Sequence, residues 1–232
     1  MVAKDDILNL PLTENEIIDV IKKAKDKINI SKFDNLRERH ANIQFDCILR
    51  GYIGEFVIRK WLLENGIVPE KTNYVPNGDS IDIDFYYRGK NVELKTSLIP
   101  DADITIDNVI KNRDIKLIKR EERIEELRGD IHMQIYYSQK RKSKDDWLSS
   151  QDIHVESDDY KYLYEAFLAK AYKETTFFVA WIDKPSLVAQ INVMPENQRT
   201  WSFKDSKRLF WNCKIRDAKR PEELISYLKA LK

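Results

Sequence analysis

Hydrophobic and polar side chains alternate in two short stretches of the chain, 81–86 and 92–95. Because successive side chains of a strand point to opposite faces, each stretch predicts a strand with one apolar and one polar face. Arg88-Gly89-Lys90 lies between the stretches and predicts a turn, so that the two strands form a β-hairpin. The polar face then carries a cluster of charges, which are Asp82, Asp84, Glu93 and Lys95.

The length of the turn decides which of these charges face one another. With a two-residue turn at Arg88-Gly89, the register places Asp84 opposite Glu93. The same register places Asp82 opposite Lys95. A bulge at the turn would shift this pairing, so the choice between the two aspartates stays open.

The charged face of the hairpin predicts a metal site. Directly opposed strand residues have Cβ atoms roughly 5 Å apart, which lets two carboxylates share one divalent cation. Magnesium prefers oxygen ligands, relieves the repulsion between the carboxylates and lowers the pKa of a bound water. Lys95 lies beside that water and orients it, or stabilises charge on a phosphoryl group. The chemistry predicted is hydrolysis of a phosphodiester.

The combination of Asp82 or Asp84 with Glu93-Leu94-Lys95 resembles the signature of the PD-(D/E)XK nuclease superfamily. The resemblance covers about residues 41–137. It implies a restriction-endonuclease-like α/β fold, with a central mixed sheet between helices and with Mg²⁺ bound at the acidic hairpin. Many members carry a glutamate on a preceding helix, and Glu55 matches it, although an exposed helix glutamate without a role fits the pattern equally well. A local similarity to the mismatch-repair nicking endonuclease and its restriction-enzyme relatives is weaker.

The resemblance implies that the chain is an endonuclease acting on double-stranded DNA, and favours a type II restriction endonuclease. One site per chain and two strands to cut predict a homodimer. A repair nickase, a junction resolvase and a nuclease-like DNA-binding module without catalysis are the alternatives. The implied catalytic residues are Glu55, Asp82, Asp84, Glu93 and Lys95, of which Asp82, Asp84 and Glu93 hold the metal.

Basic residues in the second half predict DNA contacts. The densest basic run, 138–144, reads as a mobile loop whose cations release counterions on binding phosphates. A later polar and aromatic segment, 197–210, contains residue types that read base edges. The predicted contacts are Lys140, Arg141, Lys142, Lys144, Arg199, Lys207 and Arg208.

Composition sets wider limits. The 232 residues carry a formal net charge of +1, so a DNA-binding surface must be local. No linker divides the chain, which predicts one domain over 1–232, with a catalytic core and a C-terminal part, 138–232, that completes the sheet. Two distant cysteines, no long apolar run and no signal-peptide pattern predict a reduced, cytoplasmic protein without a membrane span.

Periodicity along the rest of the chain predicts the remaining elements. Helices are predicted over about 13–28, 41–64, 107–128 and 160–173, with a short terminal helix after Arg220-Pro221. Strands are predicted over 131–137, 176–182 and 187–193, with an edge strand over 210–215. His132 and Gln134 share the polar face of the first of these strands, where satisfied polar groups are expected more than site residues.

Overall fold

The computed structural model describes residues 1–27, 40–71, 83–203 and 208–231. Within these residues the chain forms an α/β fold with a six-stranded mixed sheet and a separate three-stranded sheet. The helices are α1 (Glu14–Lys27), α2 (Ala41–Glu64), α3 (Ile106–Asn112), α4 (Arg141–Ser150), α5 (Tyr160–Ala166), α6 (Lys184–Asn192) and α7 (Glu223–Ala230). The strands are β1 (Leu8–Asn9), β2 (Glu70–Lys71), β3 (Phe85–Tyr87), β4 (Lys90–Ile99), β5 (Leu117–Ile118), β6 (Ile131–Lys140), β7 (Thr176–Asp183), β8 (Thr200–Ser202) and β9 (Leu209–Trp211).

The large sheet has the order β1-β7-β6-β4-β3-β2 and the small sheet the order β5-β9-β8. Among the described strands of the large sheet, β4 and β6 form the only parallel pair, and β3 and β7 run antiparallel to their neighbours. Hydrophobic clusters cover both faces. Residues of α1, α2 and α5 pack on one face, and residues of α3, α6 and β9 pack on the other. None of the helices in the described parts of the chain has the length and apolar character to cross a membrane.

Two predicted helices form as expected. At the start of α1, the Thr13 hydroxyl accepts from the Glu16 N–H at 3.2 Å, and the Glu16 carboxylate accepts from the Thr13 N–H at 2.8 Å. This reciprocal pair is the capping box that the sequence indicates. α2 has the predicted bounds and runs without interruption through Gly51.

The predicted hairpin also forms, between β3 and β4. Tyr87 pairs with Lys90 and Phe85 with Val92, so the turn consists of the two residues Arg88 and Gly89. Their φ angles are 47° and 71°, the left-handed values of a type I′ turn. The register that the sequence favours is therefore confirmed as far as Phe85.

Residues 107–128, predicted as one charged helix, are divided among α3, β5 and a 3₁₀ turn, Ile124–Glu126. α3 ends at Asn112, and β5 follows after a short extended segment. The carboxylate of Asp114 accepts from the Cys213 N–H at 3.2 Å and from the Lys214 Nζ at 2.9 Å. These contacts hold the chain against the C-terminal segment, so tertiary hydrogen bonds override the helical pattern.

The predicted strand 187–193 is also wrong, because these residues belong to α6. The Asp183 carboxylate accepts from the N–H and from the hydroxyl of Ser186, both at 2.9 Å, and so caps the helix. Pro185 occupies the first turn, where a missing N–H costs nothing. A short apolar run fits a buried strand and a buried helix equally well, and the cap decides for the helix.

Three smaller differences concern element boundaries. The basic run 138–144 is the end of β6 and the start of α4, not a loop. The helix predicted over 160–173 ends at Ala166, and Leu168 takes a positive φ of 53° before a 3₁₀ turn. β9, predicted as an edge strand, is the central strand of the small sheet.

Candidate functional site

The charged side chains of the hairpin meet on β4. Val92 and Leu94 point into the core, so Glu93 and Lys95 share the opposite face of the strand. Lys95 Nζ lies 2.8 Å from Glu93 Oε1, and Glu93 is 8% exposed. An ammonium and a carboxylate therefore form an ion pair at the position the sequence predicts.

Asp84 joins this pair from the residue just before β3. Its N–H donates to the Val92 carbonyl at 2.8 Å, and its carboxylate accepts from the backbone N–H of Leu94 at 2.6 Å. The side chain thus bonds to the strand that carries Glu93 and Lys95. Asp82, the other predicted aspartate, lies outside the described residues.

His132 is a further member of the site. β4 and β6 are parallel, and their register places Glu93 beside His132. His132 Nδ1 lies 2.8 Å from Glu93 Oε2, and its Nε2 donates to the Gly129 carbonyl at 3.1 Å. A Cβ on Gly129 would overlap the imidazole ring, so glycine is needed there. In the sequence, His132 is indicated by its position on the polar face of β6. The prediction favoured hydrogen-bonded polar groups on that face over residues of the site.

Gln134, the other polar residue of that face, is such a satisfied group. Its Nε2 donates to the Lys95 carbonyl at 3.1 Å and to the Ser97 hydroxyl at 3.2 Å, and its Oε1 accepts from the Lys116 N–H at 3.1 Å. Gln134 therefore fixes the backbone beneath the site and connects β4 to the segment that leads into β5.

The two carboxyl groups of the site have opposite pKa shifts. Burial raises the pKa of Asp84 to about 7, and the nearby charges of Glu55 and Glu93 add to the effect. Burial acts on Glu93 in the same direction, but the hydrogen bond with His132 and the charge of Lys95 outweigh it and lower the pKa of Glu93 to about 2. Divergent pKa values of neighbouring acids are typical of catalytic sites.

Glu55 reaches this region from the other face of the sheet. α2 packs on β4 through Gly54, where an added Cβ would lie 2.5 Å from Thr96 Cγ2. Glu55 Oε2 lies 3.8 Å from Lys23 Nζ, so its nearest charged partner is on α1. Its negative charge nevertheless raises the pKa of Asp84. Glu55 is therefore close enough to influence the site electrostatically, while it is itself held by a lysine.

A cavity opens beside Glu93. It is small and open, and the figure of about 320 Å³ for its space includes open solvent. Both apolar and charged side chains line it; its lining residues are Ile83, Glu93, Ile118, Arg120, Glu121, Leu127, Arg128 and Gly129. The segment between β5 and β6, which the sequence pattern assigned to a solvated helix, thus forms one wall of the site.

The carboxylate oxygens of the site are the kind of ligand atom that magnesium prefers. Among the residues that the structure describes, no group of three or more His, Cys, Asp or Glu side chains is arranged to hold a metal ion. Mg²⁺, however, is usually bound through one or two carboxylates together with substrate phosphates and water. Asp84 and Glu93 supply two such carboxylates. Burial is the main cause of the raised pKa of Asp84, and the charges of Glu55 and Glu93, which add to it, are charges that a cation would offset.

The residues of the basic run that were predicted to contact DNA differ in their exposure and in their hydrogen bonds. Arg141 and Lys142 are exposed at the start of α4. Lys140 Nζ donates to the carbonyls of Asp103 and Ile104. The prediction that Lys144 contacts DNA at the surface is wrong, because this residue is only 2% exposed.

Lys144 belongs instead to a buried ionic cluster. Its Nζ lies 2.7 Å from Asp46 Oδ1, and it also donates to the Tyr172 hydroxyl. Asp46 Oδ2 accepts from Arg50 Nε at 2.7 Å. These contacts join α4 to α2, so Lys144 has a structural role.

The C-terminal residues that were predicted to contact DNA also differ in their surroundings. Arg199 Nε donates to the Met194 carbonyl at 3.1 Å, which ties it to the local backbone. Arg208 is half-buried beside β9. Lys207 lies outside the described residues. The structure does not bring these side chains into the lining of the cavity beside Glu93.

Comparison of the chain with protein-family models, with curated proteins and with solved structures finds no match. The residues of the site therefore carry the functional argument.

Proposed function

We propose that the chain is a magnesium-dependent endonuclease of the PD-(D/E)XK type that hydrolyses phosphodiester bonds of double-stranded DNA. The observation that carries the proposal is the convergence of Asp84, Glu93 and Lys95 at the end of one hairpin. Glu93 and Lys95 are 2.8 Å apart, and the Asp84 carboxylate bonds to the backbone N–H of Leu94 between them. Two carboxylates and an ammonium so placed are the groups that a metal-dependent phosphodiesterase requires. The mixed sheet with helices on both faces agrees with the fold that the resemblance implies.

Each side chain has a role in this proposal. Asp84 and Glu93 would hold Mg²⁺, which supplies a polarised phosphate oxygen and a water of lowered pKa when bound. Lys95, placed beside Glu93 by the strand, orients the attacking water and offsets charge on the phosphoryl group. His132 holds Glu93 in its orientation. Glu55 contributes negative charge from the side of α2.

We further propose that the enzyme is a type II restriction endonuclease that acts as a homodimer in the cytoplasm. This part of the proposal is supported by the family resemblance of the hairpin and by the need to cut two strands with one site in each chain. Analytical ultracentrifugation with and without a DNA duplex tests the dimer.

The test of the nuclease function is incubation of the purified protein with unmethylated plasmid and phage DNA, with magnesium or with chelator, followed by sequencing of fragment ends. Discrete magnesium-dependent fragments with a common end sequence support a restriction enzyme. Cleavage confined to mismatched or branched DNA assigns a nickase or a resolvase instead. Binding without cleavage under all metal and salt conditions overturns the enzymatic proposal.

Variants connect the activity to the site. Glu93→Gln and Lys95→Ala are expected to abolish cleavage, and circular dichroism checks that both remain folded. Glu165→Gln on α5 is a matched control, because Glu165 is exposed and lies outside the cavity lining. Unimpaired cleavage by both site variants would refute the assignment of Glu93 and Lys95 to the active site.

A further inference from the structure

Two arginines stand at the rim of the cavity beside Glu93. Arg120 and Arg128 both line it, and both are exposed to solvent. Glu93 is 8% exposed and Glu121 is half-buried, so the two carboxylates lie deeper in the same cavity. The more exposed part of the lining therefore carries these two arginines, whereas the deeper part, its floor, carries the two carboxylates.

The backbone at each arginine is fixed in place. Beside Arg120, the Lys119 N–H donates to the Leu209 carbonyl at 2.9 Å, which continues the pairing of β5 with β9. The carbonyl of Arg128 accepts from the Asn91 side chain at 3.1 Å. Both residues therefore lie in the lining of the cavity at, or directly beside, a hydrogen-bonded backbone position.

From this arrangement we propose that Arg120 and Arg128 bind backbone phosphates of the DNA strand on either side of the bond that is cleaved. The proposal rests on the nuclease function proposed above and assigns to it a substrate-binding pair. A guanidinium group presents a planar fork of donors that matches phosphate geometry. The acidic floor repels phosphates that are not bridged by a metal, so the neighbouring phosphates are held at the rim.

The electrostatics predict a specific experimental signature. Each phosphate contact releases condensed counterions, and the logarithm of the binding constant then falls with the logarithm of the salt concentration with a slope of about 0.9 per contact. Contacts to phosphates carry no sequence information. Loss of either arginine should therefore weaken binding to all duplexes alike and reduce the salt dependence.

The experiment measures the affinity of a short fluorescent duplex of random sequence by anisotropy, in chelator, over about 0.05 to 0.3 M salt. Arg120→Ala and Arg128→Ala are each expected to weaken binding roughly five- to tenfold at about 0.1 M salt and to lower the slope by about one. Both residues are exposed, and circular dichroism verifies that the variants fold.

Arg123→Ala is the matched control. Arg123 belongs to the same segment and its side chain is 72% exposed, but it does not line the cavity. The Arg123→Ala variant is expected to bind the duplex with wild-type affinity and with the wild-type dependence on salt concentration. A loss in Arg123→Ala equal to that in the other variants would overturn the proposal, because the effect would then follow net charge alone.

Two further outcomes separate this inference from the proposed function. If the wild type cleaves DNA with magnesium while Arg120→Ala and Arg128→Ala bind with unchanged affinity and slope, the arginine pair is refuted and the nuclease stands. If the wild type neither binds the duplex nor cleaves DNA, the nuclease proposal is refuted and the inference is refuted with it.

Discussion

The imidazole of His132 connects the carboxylate of Glu93 to the carbonyl of Gly129, with distances of 2.8 Å from Nδ1 to Oε2 and 3.1 Å from Nε2 to the carbonyl oxygen. A carbonyl only accepts hydrogen bonds, so Nε2 carries a proton. The other ring nitrogen, Nδ1, faces the carboxylate of Glu93. Glu93 is thereby held between the imidazole of His132 and the ammonium of Lys95.

Replacement of His132 by alanine should therefore affect both stability and activity. The buried Glu93 carboxylate loses a charge-assisted hydrogen bond, so the free energy of unfolding is expected to fall by about 1.5–3 kcal/mol. Cleavage is expected to fall about 10- to 100-fold, as for other residues that orient a metal ligand. Urea denaturation and cleavage rates measure the two effects. His132→Gln, whose amide can donate to Glu93, should recover part of the activity.

His154→Ala provides the control for that prediction. The His154 side chain is 68% exposed and lies 3.3 Å from Asp152 at the surface. Its removal is expected to change stability by less than about 0.5 kcal/mol. Equal losses in the His132 and His154 variants would contradict a role for the contact with Glu93.

The two glycines inside α2 should respond in opposite ways to alanine. A Cβ at Gly54 would lie 2.5 Å from Thr96 Cγ2 and 3.3 Å from Leu94 Cδ2, whereas a Cβ at Gly51 meets nothing within 4 Å. Gly54→Ala is expected to destabilise the protein by about 1–3 kcal/mol, because it separates α2 from β4. Gly51→Ala is expected to stabilise it by about 0.5–1 kcal/mol, because alanine favours the helix. Urea titrations of the two variants side by side give the comparison.

The raised pKa of Asp84 predicts a pH-dependent stability. The pKa of Asp84 is about 7 in the folded chain, whereas in the unfolded chain the carboxyl ionises near its ordinary pKa of 3.8. In this window the folded state binds more protons, so stability contributed by Asp84 falls as the pH rises, and the loss is complete above about pH 7. Asp84→Asn retains an acceptor for the Leu94 N–H but cannot ionise. In chelator, it should be more stable than the wild type at about pH 8, with the difference reduced near pH 4.

Magnesium supplies the second part of the Asp84 experiment. Addition of the metal at about pH 8 should raise the unfolding midpoint of the wild type more than that of Asp84→Asn, because a ligand that binds only the folded state stabilises it. An identical magnesium response in the two proteins would argue against Asp84 as a metal ligand.

The buried pair of Asp46 and Lys144 predicts a large structural effect. Burial raises the pKa of Asp46, but the charges of Lys144 and Arg50 outweigh it and keep the pKa below its usual value. Lys144→Met leaves this buried carboxylate with a single charged partner, Arg50, and should cost about 3–5 kcal/mol. Lys142→Met, at an exposed position on the same helix, should change stability by less than about 0.5 kcal/mol. Similar urea midpoints for both variants would show that the buried pair contributes little.

Local sequence patterns predict an element correctly where the residues that form its contacts are close together in the chain. The capping box of Thr13 and Glu16, the uninterrupted periodicity of α2 and the alternation around Arg88-Gly89 each define an element from neighbouring residues alone. The pairing of Glu93 with Lys95 follows from the same alternation. These features could be predicted because strand and helix geometry fixes them locally.

The remaining features depend on contacts between distant residues. Asp114 ends a helical pattern because Cys213 and Lys214 meet its carboxylate, a pairing that periodicity along 107–128 does not contain. Lys144 looked like one more surface cation, and only the packing of α4 against α2 places it beside Asp46. His132 became a site residue through the parallel register of β6 with β4, which no local pattern specifies.

The order of the six-stranded sheet determines how much of the chain the site needs. The recognisable signature ends near residue 137, but β6 is an inner strand whose second edge is covered by β7, from Thr176 to Asp183. A fragment truncated after Tyr137 would expose the backbone donors and acceptors of β6, and such an open edge recruits other chains. Limited proteolysis should accordingly leave a folded core only if it extends at least through Asp183, so the smallest unit that can hold the site is much longer than the motif that predicts it.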